Sequence, residues 1–246
     1  MNLSQITDAL VRDVSRLRFG PPVDCVYNPL EYARALYDTY LERFGQAPRE
    51  VLLLGMNPGP WGMVQTGIPF GAVSAVRDWL RIDASVKRPQ REHPARPVTG
   101  LACPREEVSG VRLWSWARDC FGTPERFFGR FFVANYCPLA FLEPGGRNLT
   151  PDKLPAQDRR PLLEACDRAL RETVAYFRPR FVIGVGAFAE ARIRQACNGA
   201  DITIGQILHP SPASPRANRG WAPVAAQQLR DLGIHVSDPQ PSPAPG

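Results

Sequence analysis

The sequence predicts an α/β fold: a three-layer α/β/α arrangement around a central, four-stranded parallel sheet. Two observations carry this. Four short apolar runs, at 51–54, 131–134, 181–185 and 202–208, alternate with segments of helical periodicity, and strands alternating with helices give a parallel sheet with helices on both faces. The first run, VLLL, is continuously apolar, the mark of a strand covered on both sides. A third observation concerns chemistry. Three of the runs end in polar loops, at Asn57, Asn135 and His209, and open α/β sheets bind ligands outside the carboxyl ends of their strands.

Taken in order, Leu3, Ile6, Leu10, Val14 and Leu17 recur at helical spacing and predict an amphipathic opening helix. Residues 19–26 read as irregular. Asn28 and Pro29 read as an N-cap and a first helical position, with the helix running over 30–44 to Gly45. Strand 51–54 feeds the loop 55–71, GMNPGPWGMVQTGIPFG, and then a helix over 73–80. Residues 82–110 are polar and interrupted by Pro, and they carry Lys87, Arg88, Arg91, His93, Arg96 and Arg105. A loop that long in a compact domain is usually functional or disordered.

A helix through Leu113, Trp116, Ala117 and Cys120 precedes strand 131–134, 145–155 reads as a loop, and Leu163, Cys166, Leu170 and Val174 mark a helix over 162–177. After strand 181–185, Gly184 and Gly186 turn the chain into a helix over 188–197. Only G-x-G is present there, so a tight turn fits better than a dinucleotide fingerprint. Strand 202–208 delivers His209-Pro210-Ser211-Pro212, and a helix over 221–232 closes the fold. Residues 1–236 are expected to form a single domain, and the Pro-rich stretch 237–246 a disordered tail.

The 246 residues are 44% apolar, enough for a sizeable core. A net charge of +6 permits a polyanionic partner without requiring one. The six Cys form no C-x-x-C pair, which argues against zinc or iron–sulfur and for a reduced, intracellular chain using Cys as a small apolar residue. No metal or other cofactor is expected. The N-terminus lacks a signal-peptide pattern, and no apolar run approaches the ~20 residues that span a bilayer.

The loop 55–71 holds Met56, Asn57, Gly59, Met63, Gln65 and Phe70 but no carboxylate, Lys or Cys. Its chemistry must come from hydrogen bonds, backbone groups and stacking. A side-chain amide offers a donor beside an acceptor, the pattern that reads the O4/N3–H edge of uracil. Asn135, at the end of a rigid strand, suits that task as well as it suits a turn before Pro138. Asn57-Pro58-Gly59 also reads as a turn. Phe70, between Pro69 and Gly71, is a stacking platform or a core anchor. His209 begins a Pro-stiffened loop where a fixed donor is useful, His93 in the basic loop is a candidate for phosphate, and His235 reads as surface. The loop HPSPASPRANRGW joins a stiff start to Arg216, Asn218 and Arg219. It suits entry into a groove to prop open a base stack, or it is a Pro-rich surface turn.

These segments closely resemble the single-strand-selective monofunctional uracil-DNA glycosylases of the uracil-DNA glycosylase superfamily. The resemblance rests on GMNPGPWGMVQTGIPFG, on ANYCPL from Ala134 and on HPSPASPRANRGW. Tyr27-Asn28-Pro29 with Glu31-Tyr32, RPVTGLACPREEVSG from Arg96, and GRNLTP with LPA between Gly146 and Ala156 extend it over roughly residues 20–236. It implies the superfamily's α/β/α fold. It also implies that Asn57 holds the attacking water, Phe70 stacks on the everted base, Asn135 reads the uracil edge and His209 hydrogen-bonds O2 as charge builds on the leaving base. Backbone around Met56 and Gly59, with Met63, would wall the pocket near C5. Pro210, Ser211, Pro212, Ala213, Arg216, Asn218 and Arg219 would form the wedge that fills the duplex. In one departure, vertebrate members carry an Arg near Ala213, and Arg216 or Arg219 would have to substitute for it here.

The expectation is therefore a monofunctional glycosylase. It would release uracil and 5-substituted uracils from single- and double-stranded DNA, act as a monomer, and work in the bacterial cytoplasm at the nucleoid, or in the nucleus of a eukaryote. Two alternatives stay open: the same fold acting on deaminated purines, and a non-catalytic DNA-binding homologue.

Overall fold

A computed structural model describes residues 1–237; the tail expected from 237 lies outside them, Ser237 apart. Its strands are β1 (Cys25–Tyr27), β2 (Val51–Gly55), β3 (Phe131–Asn135), β4 (Ala140–Leu142), β5 (Asn148–Leu149), β6 (Phe181–Val185) and β7 (Thr203–Ile207). Its α-helices are α1 (Leu3–Ser15), α2 (Pro29–Tyr32), α3 (Arg34–Phe44), α4 (Met63–Thr66), α5 (Val108–Phe121), α6 (Pro124–Phe128), α7 (Ala156–Phe177), α8 (Ala187–Ala196), α9 (Pro215–Asn218) and α10 (Trp221–Asp231).

The predicted sheet is present: four parallel strands in the order β3-β2-β6-β7. The chain leaves β2 for β3 on one side and returns past it to β6 on the other, so β2 sits at the switch point where such sheets open a crevice. The register runs from Val51 opposite Phe131 to Gly55 opposite Asn135. It thereby sets Gly55 and Asn135 side by side at the carboxyl edge. β2 and β6 are buried at every position, as continuous apolar runs require.

Side chains on both faces form one core. Trp114, Trp116, Phe127, Phe128, Phe131 and Phe132 are buried in it, with Phe127 stacked on Phe131 at 5.1 Å. Each such side chain stabilises the fold by ~1.5–3 kcal/mol. Five of the six cysteines are buried, and none forms a disulfide. Among the described residues no helix is long and apolar enough to cross a membrane.

The structure corrects several boundaries. β1 begins at Cys25, inside the stretch 19–26 read as irregular, and residues 145–155 contain β5; with β4 they make a second, antiparallel sheet in the order β1-β4-β5. Strands of two or three residues carry too little periodicity to read. The helix expected over 30–44 is two, α2 and α3, parted at Ala33. Gly67 lies against that break, and a β-carbon there would come within 3.0 Å of the Ala33 carbonyl oxygen. The helix over 73–80 is a π-helical turn, Ala75–Trp79. α7 starts at Ala156, before the expected 162, and continues through Pro161. The loops 55–71 and 209–221 each contain a one-turn helix, α4 and α9.

Candidate active site

The site begins with a glycine that must be a glycine. Asn135 and Phe70 both lie over Gly55: a β-carbon there would sit 2.3 Å from Asn135 Oδ1 and 2.6 Å from Phe70 Cε2. Phe70 holds φ at +54°, a left-handed conformation that is costly for an aromatic residue and persists only when its surroundings impose it. They do. The Phe70 carbonyl accepts from the Ala72 N–H at 2.7 Å and from the Trp114 indole N–H at 3.1 Å. The Gly71 N–H donates to Ile68 O, and Thr66 Oγ1 donates to Gly71 O at 3.0 Å. A β-carbon on Gly110 of α5 would meet the Phe70 carbonyl oxygen at 2.1 Å, so α5 presses directly against this turn.

Asn135 is fixed from below. The Tyr136 N–H donates to Gly55 O and the Cys137 N–H to Met56 O, at 2.9 and 2.8 Å. The Tyr136 hydroxyl donates to Asp167 Oδ1 at 2.7 Å and accepts from Arg192 Nε at 3.0 Å. Arg192 and Asp167 close this triangle with an ion pair. Burial holds the Tyr136 phenol well above its ordinary pKa, so it stays protonated as a donor. Of the Asn135 amide, Nδ2 donates to Met63 Sδ at 3.1 Å, while Oδ1 is buried without a partner. An orphaned acceptor costs ~1–3 kcal/mol, which a ligand donor at this spot would recover.

Asn57 leaves β2 and donates from Nδ2 to Leu139 O at 3.3 Å. Asn148 on β5 donates from Nδ2 to Pro58 O at 3.3 Å. Asn148 of the antiparallel sheet and Leu139 beside it therefore brace the loop after β2 from the side. His209 follows β7, whose exit is pinned by Gln228 Oε1 accepting from Leu208 N–H and by the Trp221 indole N–H donating to Leu208 O at 2.6 Å. Gly186, at φ +95°, lets the imidazole approach: a β-carbon there would lie 3.2 Å from His209 Cβ. The ring centroids of His209 and Phe70 are 6.0 Å apart. Burial lowers the His209 pKa from 6.5, so the imidazole is neutral.

Two amides, an aromatic ring on a strained backbone turn and a neutral imidazole thus converge on one sheet edge. A family model for the uracil DNA glycosylase superfamily matches residues 42–229. The chain belongs to that superfamily. A Rattus norvegicus protein named single-strand selective monofunctional uracil-DNA glycosylase is 51% identical over 224 residues, 90% of this chain and 81% of its own. The proteins of that name from Mus musculus and Bos taurus are each 50% identical over 224 residues, covering 80% and 82% of their lengths. The crystal structure of wild-type Pedobacter heparinus SMUG2 superposes with a TM-score of 0.61 at 17% identity, covering 93% of this chain and 95% of that one, a likeness of fold.

In this superfamily member three residues that the sequence does not single out organise the site. Glu107 reaches the first loop from the start of α5. Its Oε2 accepts from the Trp61 N–H at 3.3 Å, and β-carbons on Gly59 and Gly62 would collide with it. The loop carries no carboxylate of its own, but the fold gives it one. Arg112 grips the 209–219 loop, donating to Pro210 O, Ser211 O and Asn218 Oδ1. Tyr136 anchors Asn135 as described. None of the three has a local signal, since each acts across more than thirty residues of chain.

Other expected residues take different places. Gln65 is a tie: Nε2 donates to Pro60 O and Pro97 O, and Oε1 accepts from Thr99 N–H. His93, expected near phosphate, is buried. Its Nδ1 accepts from Ala95 N–H, and Nε2, 3.2 Å from Pro144 O, is the donor that tautomer leaves. His235 is exposed, as read. In the wedge loop Pro210 is buried, Ser211 Oγ caps Ala213 N–H, and Asn218 Nδ2 donates to Pro212 O. Pro212, Ala213, Arg216 and Arg219 face outward.

Proposed function

We propose that the chain is a monofunctional DNA glycosylase that everts a uracil, or a 5-substituted uracil, and hydrolyses its N-glycosidic bond. A base in a duplex is out of reach, so eversion comes first, at a cost of a few kcal/mol. The base stacks on Phe70, and Asn135 meets its edge: the orphaned Oδ1 accepts from N3–H while Nδ2 turns from Met63 Sδ to O4. This unpartnered oxygen is the observation that carries the reading. Met56 and Gly59 wall the ring near C5.

As the bond breaks, the sugar becomes oxocarbenium-like and negative charge moves onto the base. The neutral His209 donates to O2 there, a kind of term worth ~3 kcal/mol. Asn57, with Nδ2 held by Leu139 O, presents Oδ1 to the water that attacks C1′. No Lys lies in the first loop, so no Schiff base forms and the strand is not nicked. Pro212, Ala213, Arg216 and Arg219 meet the DNA beside the everted nucleotide. The enzyme works as a monomer, on single strands as well as duplexes. Its substrate puts it with the genome; the relatives named are mammalian and lend nothing to a bacterial address.

The test is incubation with a uracil-containing oligonucleotide followed by alkali. Cleavage at the uracil is expected, and its absence at high enzyme concentration overturns the reading. His209→Asn should lose most base release and keep DNA binding. Faster release of xanthine or hypoxanthine than of uracil would shift the assignment to deaminated purines.

A further inference from the structure

Trp61 lies between Asn57 and Met63, on the loop that forms one wall of the site. Two guanidinium groups sit over its indole: Arg105 at 4.5 Å and Arg96 at 5.1 Å from the ring centroid. They come from a segment docked onto this loop through Gln65, which bonds Pro97 O and Thr99 N–H, and through Glu107. Both cations meet the same indole, and among the described residues neither pairs with a carboxylate. Arg96 Nη1 donates only to its neighbour Ala95 O, and its Nε is buried without a partner. The nearby Glu107 carboxylate is turned away, onto Gly59, Gly62 and the Trp61 N–H.

A guanidinium lying over an aromatic ring keeps its edge N–H donors free, and those donors match phosphate oxygens two at a time. An indole that fixes both planes has already met part of the ordering cost of binding. We propose that Trp61, Arg96 and Arg105 form a phosphodiester subsite, which grips the DNA backbone beside the everted nucleotide. The subsite rests on the glycosylase reading for its position on the strand. It is separate from the 209–219 loop, which follows the edge strand β7, whereas Trp61 follows the interior strand β2.

The test is binding of a fluorescent single strand over a range of salt concentrations. In single strands each lost phosphate contact lowers the slope of log K against log salt by about 0.7. Arg105→Gln should show part of this loss, and the Arg96→Gln/Arg105→Gln double variant the whole of it. A methylphosphonate placed at the contacted linkage should weaken wild type as much as the double variant, and weaken the double variant no further. A double variant with wild-type slope and affinity overturns the proposal, and so does a scan that finds no such linkage. Arg105 is exposed, so its variant folds even if the Arg96 change does not. Binding is also measured on a strand without uracil. A subsite effect there with no base release from any substrate would overturn the glycosylase reading and leave the subsite standing.

Discussion

Arg112 on α5 donates from Nη2 to Asn218 Oδ1 at 2.8 Å, tying the first helix after the basic segment to the last loop before α10. The same guanidinium donates to Pro210 O and Ser211 O. The helix that presses on the Phe70 carbonyl therefore also sets the height of the loop that His209 begins. Arg112→Ala removes all three bonds. Charged hydrogen bonds of this kind contribute ~1.5–3 kcal/mol, discounted here because the bond to Asn218 is exposed. Base release from duplex should fall about tenfold, the equivalent of ~1.4 kcal/mol, while release from single strands, which need no propped stack, changes less. Equal losses on both substrates would mean that Arg112 serves only the fold.

Gly55→Ala tests the convergence itself. The added β-carbon would meet Asn135 Oδ1 at 2.3 Å and the Phe70 ring at 2.6 Å, and all three positions are held by bonds to other elements. A misplacement of about 1 Å within a site can cost roughly a hundredfold in rate. Activity should fall by at least that factor. The melting temperature should drop only moderately, because the clash lies at the sheet's rim rather than in its middle. A fully active Gly55→Ala protein would show that Asn135 and Phe70 do not act together.

The sequence makes the four strands, their parallel direction and the three strand-end residues legible, because each long apolar run and each Pro- or Gly-rich loop is a local signal. It does not make β1, β4 and β5 legible, since two or three residues show no period. Yet Leu139 and Asn148, beside and within that small sheet, hold the Asn57 loop. Glu107 is invisible for another reason: the loop it serves begins fifty residues earlier and advertises only its glycines. His93 misleads because it sits among basic residues in the sequence while its imidazole turns inward to Pro144.

His209 should leave a mark on stability against pH. Burial depresses its folded pKa below 6.5. An unfolded imidazole takes up its proton near pH 6.5, whereas the folded one does so only at lower pH. The group's contribution is therefore complete above 6.5 and is lost as pH falls through the folded pKa. Denaturant unfolding at pH 7.5 and 5.5 should show the loss in wild type and a smaller loss in His209→Asn. If the neutral ring is the donor, base release by wild type should hold flat above 6.5. An acid-favoured rate profile would mean that the protonated ring does the work.

Glu107 gives the opposite sign. Desolvation raises its pKa from 4.5, partly offset by the Trp61 N–H. The folded state then holds its proton longer than the unfolded chain, so stability falls as pH rises from 4.5 through the raised value. Glu107→Gln removes that fall and still offers an oxygen to Trp61. It should match or exceed wild type in stability at pH 7 and keep most activity. Glu107→Ala differs in kind. It leaves the Trp61 N–H without an acceptor, a cost of ~1–3 kcal/mol where the group stays buried, and opens a void against Gly59 and Gly62. The loop that carries Asn57 then loses its seat, and base release should fall tenfold or more. If Gln and Ala variants behaved alike in both assays, the carboxylate's position against the glycines would have no part in holding that loop.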